Sequence, residues 1–462
     1  MQINDLEIIN EEKINENLGV KFDKKRIEDI LQKSLELKGL TIEEAAALLN
    51  VEDMETIEKI FHTAKEIKEK IYGKRIVLFA PLYASNFCSN NCVYCGFRRD
   101  NQSIRRVHLT PDEVVQEAKA IMNLGHKRIV LLTGEDYKLS GLDYIEEIVD
   151  KIYHEKVFNG EIRRININIA PLSVEDFKRL ASFGLGTYQL FQETYHRETY
   201  KVMHPAGKKA DYNWRVTAMD RAIAGGIQDY GIGPLYGLAD YKFETLATLM
   251  HAQYLDKKYG VGPHTISVPR IEPAEGVKFS NNPPVQMSDL EFKKIVAVFR
   301  IAVPYTGLIL STRETPKMRK ELLELGVSQI SAESKVNPGG YEIYKSSTEQ
   351  FTMSDNRKVD EVVYELIKDG YIPSFCTACY RKGRVGKDFM DLAKEGVINK
   401  YCQPNALTTL VEYLLDYAAE ETKKAGFQLI EKELESIQIP AAKERLKKQL
   451  EEMKCGSRDL YV

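Results

Sequence analysis

The feature that most constrains the fold of this sequence is an alternation of short apolar segments with longer amphipathic ones between residues 74 and 338. The apolar segments are rich in Ile, Val and Leu, as buried parallel strands are, and helical periodicity separates them. Eight such units predict a (β/α)8 TIM barrel. An open, doubly wound sheet shares this alternation and is the alternative. The predicted strands are 76–80, 128–132, 165–169, 187–191, 228–232, 265–268, 308–311 and 328–331.

One predicted strand indicates what the barrel encloses. Ile and Asn alternate over residues 165–169, so Ile165, Ile167 and Ile169 share one face, and Asn166 and Asn168 share the other. We expect helices to cover the isoleucines, while the asparagines line a polar lumen that receives a ligand. The alternative is an edge strand whose asparagines face water.

Helical segments flank the barrel on both sides. Before it, residues 23–37 are periodic, Thr41 and Glu44 can form a capping box, and residues 53–71 are amphipathic. Within it, residues 211–224 are among the predicted helices. After it come a basic stretch at 381–387, a helix predicted to be capped near Asn405, and a charged helix at 441–454. The predicted domains are a helical N-terminal extension (1–73), the barrel (74–338) and a small helical C-terminal domain (339–462).

Charge and composition exclude several classes of protein. The chain has 65 Lys and Arg against 68 Asp and Glu, a net charge of −3, which offers no basic surface for nucleic acid or a membrane. A hydrophobic content of 43% provides a large core and rules out a disordered chain. The acidic segment after Met1 does not resemble a secretory signal, and we find no apolar run long enough to cross a bilayer. We therefore predict a cytoplasmic protein.

Six of the seven cysteines fall into two groups of three, Cys88, Cys92 and Cys95, and Cys376, Cys379 and Cys402. Clustered cysteines in a chain without an export signal bind metal more often than they form disulfides. The first group has CxxxCxxC spacing just after the first predicted strand. Three thiolates leave one iron of a 4Fe–4S cube open for another ligand. A zinc site, which would need a fourth protein ligand, is the alternative. The seventh cysteine, Cys455, has no predicted role.

The first group resembles the motif of the radical S-adenosylmethionine (SAM) superfamily. The resemblance lies in the CxxxCxxC spacing, the aromatic Tyr94 before the third cysteine, the Gly-Phe pair after it, and the position after the first barrel strand. It implies that Cys88, Cys92 and Cys95 hold a 4Fe–4S cluster whose open iron binds SAM. An electron from the cluster would then cleave SAM to methionine and a 5′-deoxyadenosyl radical.

Other strand ends match the SAM contacts of that superfamily. Thr133-Gly134-Glu135 is similar to its Gly-Gly-Glu motif, with Thr in place of the first glycine. Glu193 and Arg215 resemble the acid and base that hold the ribose or amino-acid part of SAM. Taken singly, each of these has an ordinary explanation as a surface ion pair or a turn. The residues predicted to bind the cofactor are Tyr94, Gly134, Glu135, Asn168, Glu193, Arg215 and Ile232, the last in a turn similar to the one that contacts adenine.

The second cysteine group, CxxC followed by Cys402, again provides three ligands and predicts a second 4Fe–4S cluster. A redox-active CxxC disulfide is the alternative, although it would not need Cys402. A barrel of the SAM type with this second triad resembles the tyrosine lyases of iron-only (FeFe) hydrogenase maturation over nearly the whole chain. The resemblance implies cleavage of L-tyrosine at Cα–Cβ to p-cresol and dehydroglycine. It also implies conversion of dehydroglycine to carbon monoxide and cyanide at the second cluster, in an iron–carbonyl–cyanide unit for the hydrogenase.

The same resemblance implies roles for three further residues. Arg313 would bind the tyrosine carboxylate, with Ser311 beside it on the same strand face. His264 would bind an extra iron on the second cluster, where L-cysteine would be a further ligand. The alternatives are an Arg313 that pairs with Glu314 at the surface and a purely structural His264. The implied partners are the other hydrogenase maturases and an electron donor.

Two other functions compete with this one. The first is a tyrosine lyase of thiazole biosynthesis, which releases dehydroglycine and lacks the second triad. The second is an iron–sulfur scaffold without catalysis, which would need no nucleotide site.

Overall fold

The computed structural model describes residues 5–344, 349–437 and 440–461, and its centre is a closed barrel of eight parallel strands. The first strand pairs with the last, with Val77 opposite Gln329, so the sheet closes and the open-sheet alternative is wrong. All eight predicted strands are found. They are β1 (Arg75–Ser85), β2 (Arg128–Thr133), β3 (Arg164–Asn168), β4 (Tyr188–Gln189), β5 (Tyr230–Ile232), β6 (Thr265–Ser267), β7 (Gly307–Leu310) and β8 (Val327–Ser331).

A ninth strand, β9 (Ile372–Ser374), lies outside the barrel and was not predicted. It pairs in parallel with the first residues of β1, where Ser374 lies opposite Val77. Its middle residue is Pro373, which has no N–H to donate and is tolerated only at the edge of a sheet. Because Cys376 follows β9 and Cys88 follows β1, the strand β1 connects the two cysteine groups.

Helices surround the barrel, and side-chain caps begin several of them. Thr41 and Glu44 form the predicted capping box, and Thr110 and Ser288 form two more. A two-stranded hairpin joins Lys156–Val157 to Gly160–Glu161. The helices before the barrel are Asp5–Ile8, Glu11–Gly19, Lys24–Ser34, Ile42–Leu49 and Met54–Tyr72. Those within it are Pro111–Asn123, Leu142–His154, Val174–Ala181, Arg197–Met203, Lys208–Ala210 (a 3-10 turn), Tyr212–Val216, Ala218–Ala224, Tyr241–Tyr259, Lys278–Asn281, Asp289–Ala302 and Pro316–Leu325. Those after it are Val359–Lys368, Ala378–Arg381, Gly386–Lys394, Asn399–Asp416, Glu420–Ser436 and Pro440–Lys454.

Two predicted helices differ from the structure. The helix expected over 211–224 is broken at Thr217, whose hydroxyl donates to the carbonyl of Asn213 and disturbs the regular turn. The helix expected to be capped near Asn405 begins earlier, at Asn399, and continues through Pro404. Asn405 therefore lies inside the helix, where its side-chain amide donates to the carbonyl of Tyr401.

The main hydrophobic core lies between the barrel and its helices. Ile165, Ile167 and Ile169 are buried in it, as predicted from their alternation. Strand β3 is paired on both sides, so the edge-strand alternative is wrong. Asn166 points inward, and its side-chain oxygen accepts a hydrogen bond from the backbone N–H of Thr187 at 3.0 Å. In the described residues, none of the helices combines the length and apolarity needed to cross a membrane.

Candidate active site

A cavity of about 230 Å³ lies inside the barrel, at the C-terminal ends of its strands. We call it the upper cavity. Its position is the one where TIM-barrel enzymes carry their active sites. The structure brings together here nearly all the residues predicted at strand ends. Those that line it are Cys88, Cys92, Tyr94, Cys95, Gly134, Glu135, Asn168, Glu193, Arg215, Ser311 and Arg313.

The three thiols of the upper cavity have surroundings that suit a cluster. All three are free, and burial raises the pKa of each, that of Cys88 to about 11. The sulfur of Cys88 accepts backbone N–H bonds from Asn90 and Glu135, and that of Cys95 accepts one from Phe97. The side-chain amide of Gln350 also lies 3.8 Å from the sulfur of Cys95. Such N–H···S contacts are what iron–sulfur sites use to stabilise cluster sulfurs.

Gly134 allows a close approach of two backbone segments beside the cysteine loop. A Cβ atom at this position would lie 2.1 Å from the carbonyl oxygen of Phe87, so a side chain does not fit without moving that backbone. Its N–H donates to the carbonyl of Ser85 at 2.8 Å. Glycine is thus required at this position, whereas Thr133 stands where the family motif has its first glycine.

Two buried ion pairs line the upper cavity. Arg215 donates to Glu135 at 2.9 Å, and Lys209 donates to Glu193 at 2.8 Å. Burial alone would raise the pKa of Glu135, but Arg215 and Lys209 outweigh it and hold the pKa below its usual value. Each pair offers an anionic and a cationic group to a zwitterionic ligand. Lys209 was not predicted, because it lies in the short 3-10 turn Lys208–Ala210, outside any motif.

Tyr94 has a fixed hydroxyl orientation. His204 lies beside it, with Nε2 at 2.8 Å from the Tyr94 hydroxyl and Nδ1 at 2.9 Å from the carbonyl of Tyr200. A carbonyl accepts only, so Nδ1 carries the proton and Nε2 accepts the hydrogen bond from Tyr94. The ring of Tyr94 is thereby held in the wall of the cavity next to the cysteines.

Ser311 and Arg313 also line the upper cavity, just after strand β7. The Arg313 guanidinium stacks 3.4 Å from the ring centroid of Phe351, and burial lowers its pKa. Glu314 pairs instead with Arg270, at 2.9 Å, so a surface pair between Arg313 and Glu314 is wrong. Ile232 is the exception among the predicted cofactor contacts, because its side chain is buried in the main core and does not line this cavity.

A second, smaller cavity of about 40 Å³ lies at the other end of the barrel, and we call it the lower cavity. Cys376, Cys379, Cys402 and His264 all line it. The Nε2 atom of His264 lies 3.3 Å from the Tyr380 hydroxyl, and its Nδ1 lies 3.5 Å from the carboxylate of the buried Asp229. The sequence placed these ligands in separate segments, and the fold brings them together.

Arginines give the lower cavity a positive charge. Arg75 and Arg128 line it, and Arg128 donates to the carbonyl of Cys376 at 2.8 Å. Among the residues described, the Nε atoms of both arginines are buried without a hydrogen-bond partner. The pKa of Cys379 is lowered by a hydrogen bond from the Cys402 thiol and by Arg384 and Arg75. A positive site with free thiols suits an anionic cluster or an anionic ligand.

The sequence carries a signal for these arginines, which is their position at the start of the strands. Arg75, Arg128 and Arg164 each stand at the first residue of a barrel strand, ahead of apolar residues. Arg128 and Arg164 are also register partners, so they lie side by side at one end of the barrel.

The two cavities are successive layers of one lumen. On each of four strands, one residue lines the lower cavity and the residue two positions on lines the upper one, as in Val77 and Phe79. Phe79, Val130 and Ile309 form a small apolar cluster between the two cavities. We call this cluster the apolar layer. Within the residues described, no three His, Cys, Asp or Glu side chains are close enough together to bind one metal ion as they stand.

Comparison with known proteins agrees with this architecture. Residues 82–251 match the radical SAM superfamily, and residues 267–372 match the biotin and thiamin synthesis associated domain. A crystal structure of HydG, a maturase of the FeFe-hydrogenase, is similar with a TM-score of 0.95 and 50% identity over 99% of this chain and 100% of that one. HydG from Carboxydothermus hydrogenoformans is similar with a TM-score of 0.85 and 43% identity over 97% and 100%. The 2-iminoacetate synthase of Escherichia coli (strain K12) is 30% identical over 78% of this chain and 92% of its own.

Proposed function

Because the chain belongs to the HydG family of radical SAM enzymes, we propose that it is a tyrosine lyase of FeFe-hydrogenase maturation. It cleaves the Cα–Cβ bond of L-tyrosine to p-cresol and dehydroglycine, and then converts dehydroglycine to carbon monoxide and cyanide. The product is an iron–carbonyl–cyanide precursor of the hydrogenase H-cluster. One observation carries the proposal: two cysteine triads line two cavities of a single lumen.

The upper cavity is the proposed site of tyrosine cleavage. Cys88, Cys92 and Cys95 would hold the 4Fe–4S cluster, which together with SAM supplies a radical that abstracts hydrogen from the substrate. The pairs Glu135–Arg215 and Glu193–Lys209 are proposed to bind the charged groups and ribose of SAM. Asn168 and Tyr94 complete that set, and Ile232 is proposed to contribute through its backbone.

Tyrosine is proposed to bind beside Ser311 and Arg313. Arg313 receives the carboxylate of the substrate, because a guanidinium held by stacking on Phe351 keeps its N–H groups available for a fork with two oxygens. Ser311 donates a further hydrogen bond to the same carboxylate. The apolar layer beneath excludes water from the cavity floor.

The lower cavity is the proposed site of carbon monoxide and cyanide formation. Cys376, Cys379 and Cys402 would hold a second 4Fe–4S cluster and His264 its extra iron, which supply the metal that receives both diatomic ligands. L-cysteine is proposed as a further ligand of that iron. Arg75 and Arg128 attract the carboxylate of dehydroglycine and hold it near the thiols.

Several features of the proposal concern partners. Other hydrogenase maturases receive the product, and an electron donor reduces the clusters. The free cysteines suit the reducing cytoplasm, which is the proposed location.

A thiazole-type tyrosine lyase is the second candidate, and the similarity to 2-iminoacetate synthase favours it. Both candidates share the first reaction and differ in the fate of dehydroglycine. The lower cavity with its three cysteines favours the first candidate, since release of dehydroglycine needs no second ligand set. A scaffold without catalysis has no use for the SAM-type residues of the upper cavity.

The test separates the two reactions in one preparation. The protein is reconstituted anaerobically with iron and sulfide, supplied with SAM, reductant and tyrosine, and assayed for p-cresol and carbon monoxide. We expect Cys376→Ala and Cys379→Ala to keep forming p-cresol while carbon monoxide falls sharply. Cys455→Ala is the matched control, because this exposed cysteine lies outside both cavities. Carbon monoxide at the wild-type level in the triad variants would contradict the role of the second triad.

A further inference from the structure

Glu193 has a backbone conformation that needs support. Its φ is +73°, in the left-handed region that a residue with a long side chain rarely adopts. A residue in this region is strained and persists only when its surroundings hold it. This conformation accompanies the side chain's contact with Lys209 in the upper cavity. The carbonyl of Glu193 accepts a hydrogen bond from the N–H of Leu235 at 2.7 Å.

A second carboxylate holds the chain immediately after Glu193. Glu244 lies on the helix Tyr241–Tyr259, is fully buried, and does not line the upper cavity. Its carboxylate accepts a hydrogen bond from the hydroxyl of Thr194 and another from the N–H of Tyr195, the latter at 2.9 Å. Glu244 therefore fixes the two residues that follow the strained position.

Burying a glutamate at this position costs more free energy than a purely structural contact would require. Burial raises its pKa to about 7, while hydrogen bonds from Thr194 and from backbone N–H groups counteract the rise. A buried carboxylate held by hydrogen bonds alone costs more than a neutral side chain of the same size. Its acceptor oxygens match the N–H and O–H donors of the turn that carries Glu193.

We propose that Glu244 is a positioning residue that acts through Glu193: by binding Thr194 and Tyr195 it holds the left-handed turn that directs the Glu193 carboxylate into the upper cavity. The inference rests on the proposed binding of SAM by Glu193. It adds to that function a residue on the far side of the barrel wall, which no motif predicts.

The first test compares Glu244→Gln with Thr245→Ser. Gln has the shape of Glu, but one of its two groups donates and cannot accept from the turn. Thr245 is the matched control position, because it is the next residue of the same helix and is equally buried. Serine keeps the hydroxyl that donates to the carbonyl of Tyr241 and pairs with the Tyr236 hydroxyl.

We expect Glu244→Gln to speed hydrogen exchange at the amides of Tyr195 and His196 in the chain without clusters. After reconstitution, it should weaken SAM binding about tenfold. Thr245→Ser should leave both quantities unchanged.

A double-mutant cycle decides whether Glu244 acts through Glu193. If it does, adding Glu244→Gln to Glu193→Gln should weaken SAM binding by less than about twofold, since the carboxylate that it directs is already gone. Full multiplication of the two effects, or unchanged SAM binding in Glu193→Gln alone, would overturn the proposal. If Glu244→Gln does not fold, Thr194→Val removes the same contact from the other side and enters the same cycle. SAM affinity does not depend on product formation, so failure to release p-cresol would count against the proposed function and leave this proposal standing.

Discussion

At the residue scale, close packing and buried ion pairs fix the positions of the site residues. Gly134 has the carbonyl of Phe87 where a Cβ would lie, and Arg215 and Glu135 share one buried contact. The sequence predicted these residues because they resemble the SAM contacts of a known superfamily. Lys209 lies in a short 3-10 turn with no recognisable sequence pattern, and only the fold brings it to Glu193.

We expect Gly134→Ala to lower the iron content of the first triad and to destabilise the protein. The new Cβ would push on the backbone just before Cys88, and such overpacking costs about 1–3 kcal/mol. Iron analysis and thermal unfolding of the reconstituted protein measure the two effects. Gly19→Ala is the control, because a Cβ there meets nothing within 4 Å. Equal iron content in both variants would show that the loop tolerates the shift.

The pair of Glu135 and Arg215 predicts a dependence of stability on pH. The folded-state pKa of Glu135 lies below its usual 4.5, so its contribution to stability is present above that pH and is lost as the pH falls through the folded value. We expect Glu135→Gln to lower the free energy of unfolding at pH 7 by about 3 kcal/mol, because it leaves Arg215 buried without its partner. Denaturant unfolding of the cluster-free chain should show the gap between variant and wild type narrowing below pH 4.5. A difference in the free energy of unfolding that does not change with pH would contradict the stabilising role of this ion pair.

At the element scale, periodicity predicted the eight barrel strands because each buries one apolar face against a helix. The parity of β3 also predicted a polar inner face, and Asn166 and Asn168 lie there. Strand β9 could not be predicted, since it has three residues with a proline in the middle and pairs with β1 only through the folded chain. The break at Thr217 was missed because helical propensity does not record where a hydroxyl bonds its own backbone.

If tyrosine is cleaved in the upper cavity and carbon monoxide forms in the lower one, dehydroglycine must pass along the lumen, which the apolar layer crosses. We expect Phe79→Trp to keep p-cresol formation while carbon monoxide falls, because the larger ring fills the space between the cavities. Phe79→Leu is the control that keeps the layer apolar without added bulk. Carbon monoxide that stays in proportion to p-cresol in Phe79→Trp would contradict transit through the lumen.

At the scale of the whole molecule, a buried ion pair joins the segment after the barrel to the barrel itself. Arg163, just before β3, donates to Glu412 at 2.7 and 3.2 Å, and both side chains are almost fully buried. Glu412 belongs to the helix Asn399–Asp416, which also carries Cys402. The ion pair therefore fixes one ligand of the second triad relative to the barrel. The sequence could not predict it, because the two residues are 249 positions apart.

We expect Glu412→Gln to lower the free energy of unfolding by about 2 kcal/mol, since Arg163 loses its two charge-assisted hydrogen bonds to Glu412 while it keeps Glu161 at 2.9 Å. It should also reduce the iron bound by the second triad more than that bound by the first. Lys387→Gln is the control, because its ion pair with Asp391 is exposed and worth less than about 1 kcal/mol. The measurements are unfolding in denaturant and iron content in variants that lack one triad. Equal loss from both triads would point to general destabilisation instead.

The length of strand β1 also affects electron transfer between the two cysteine groups. The strand leads to Cys88 at its end and pairs near its start with Ser374, which precedes Cys376. Val77 and Ser85 are eight residues apart, so at about 3.3 Å per residue the two cysteine loops leave this strand roughly 26 Å apart. Electron tunnelling through protein falls off exponentially with distance. Two clusters held this far apart would therefore be reduced independently, and the electron that starts tyrosine cleavage would have to enter at the upper end of the barrel.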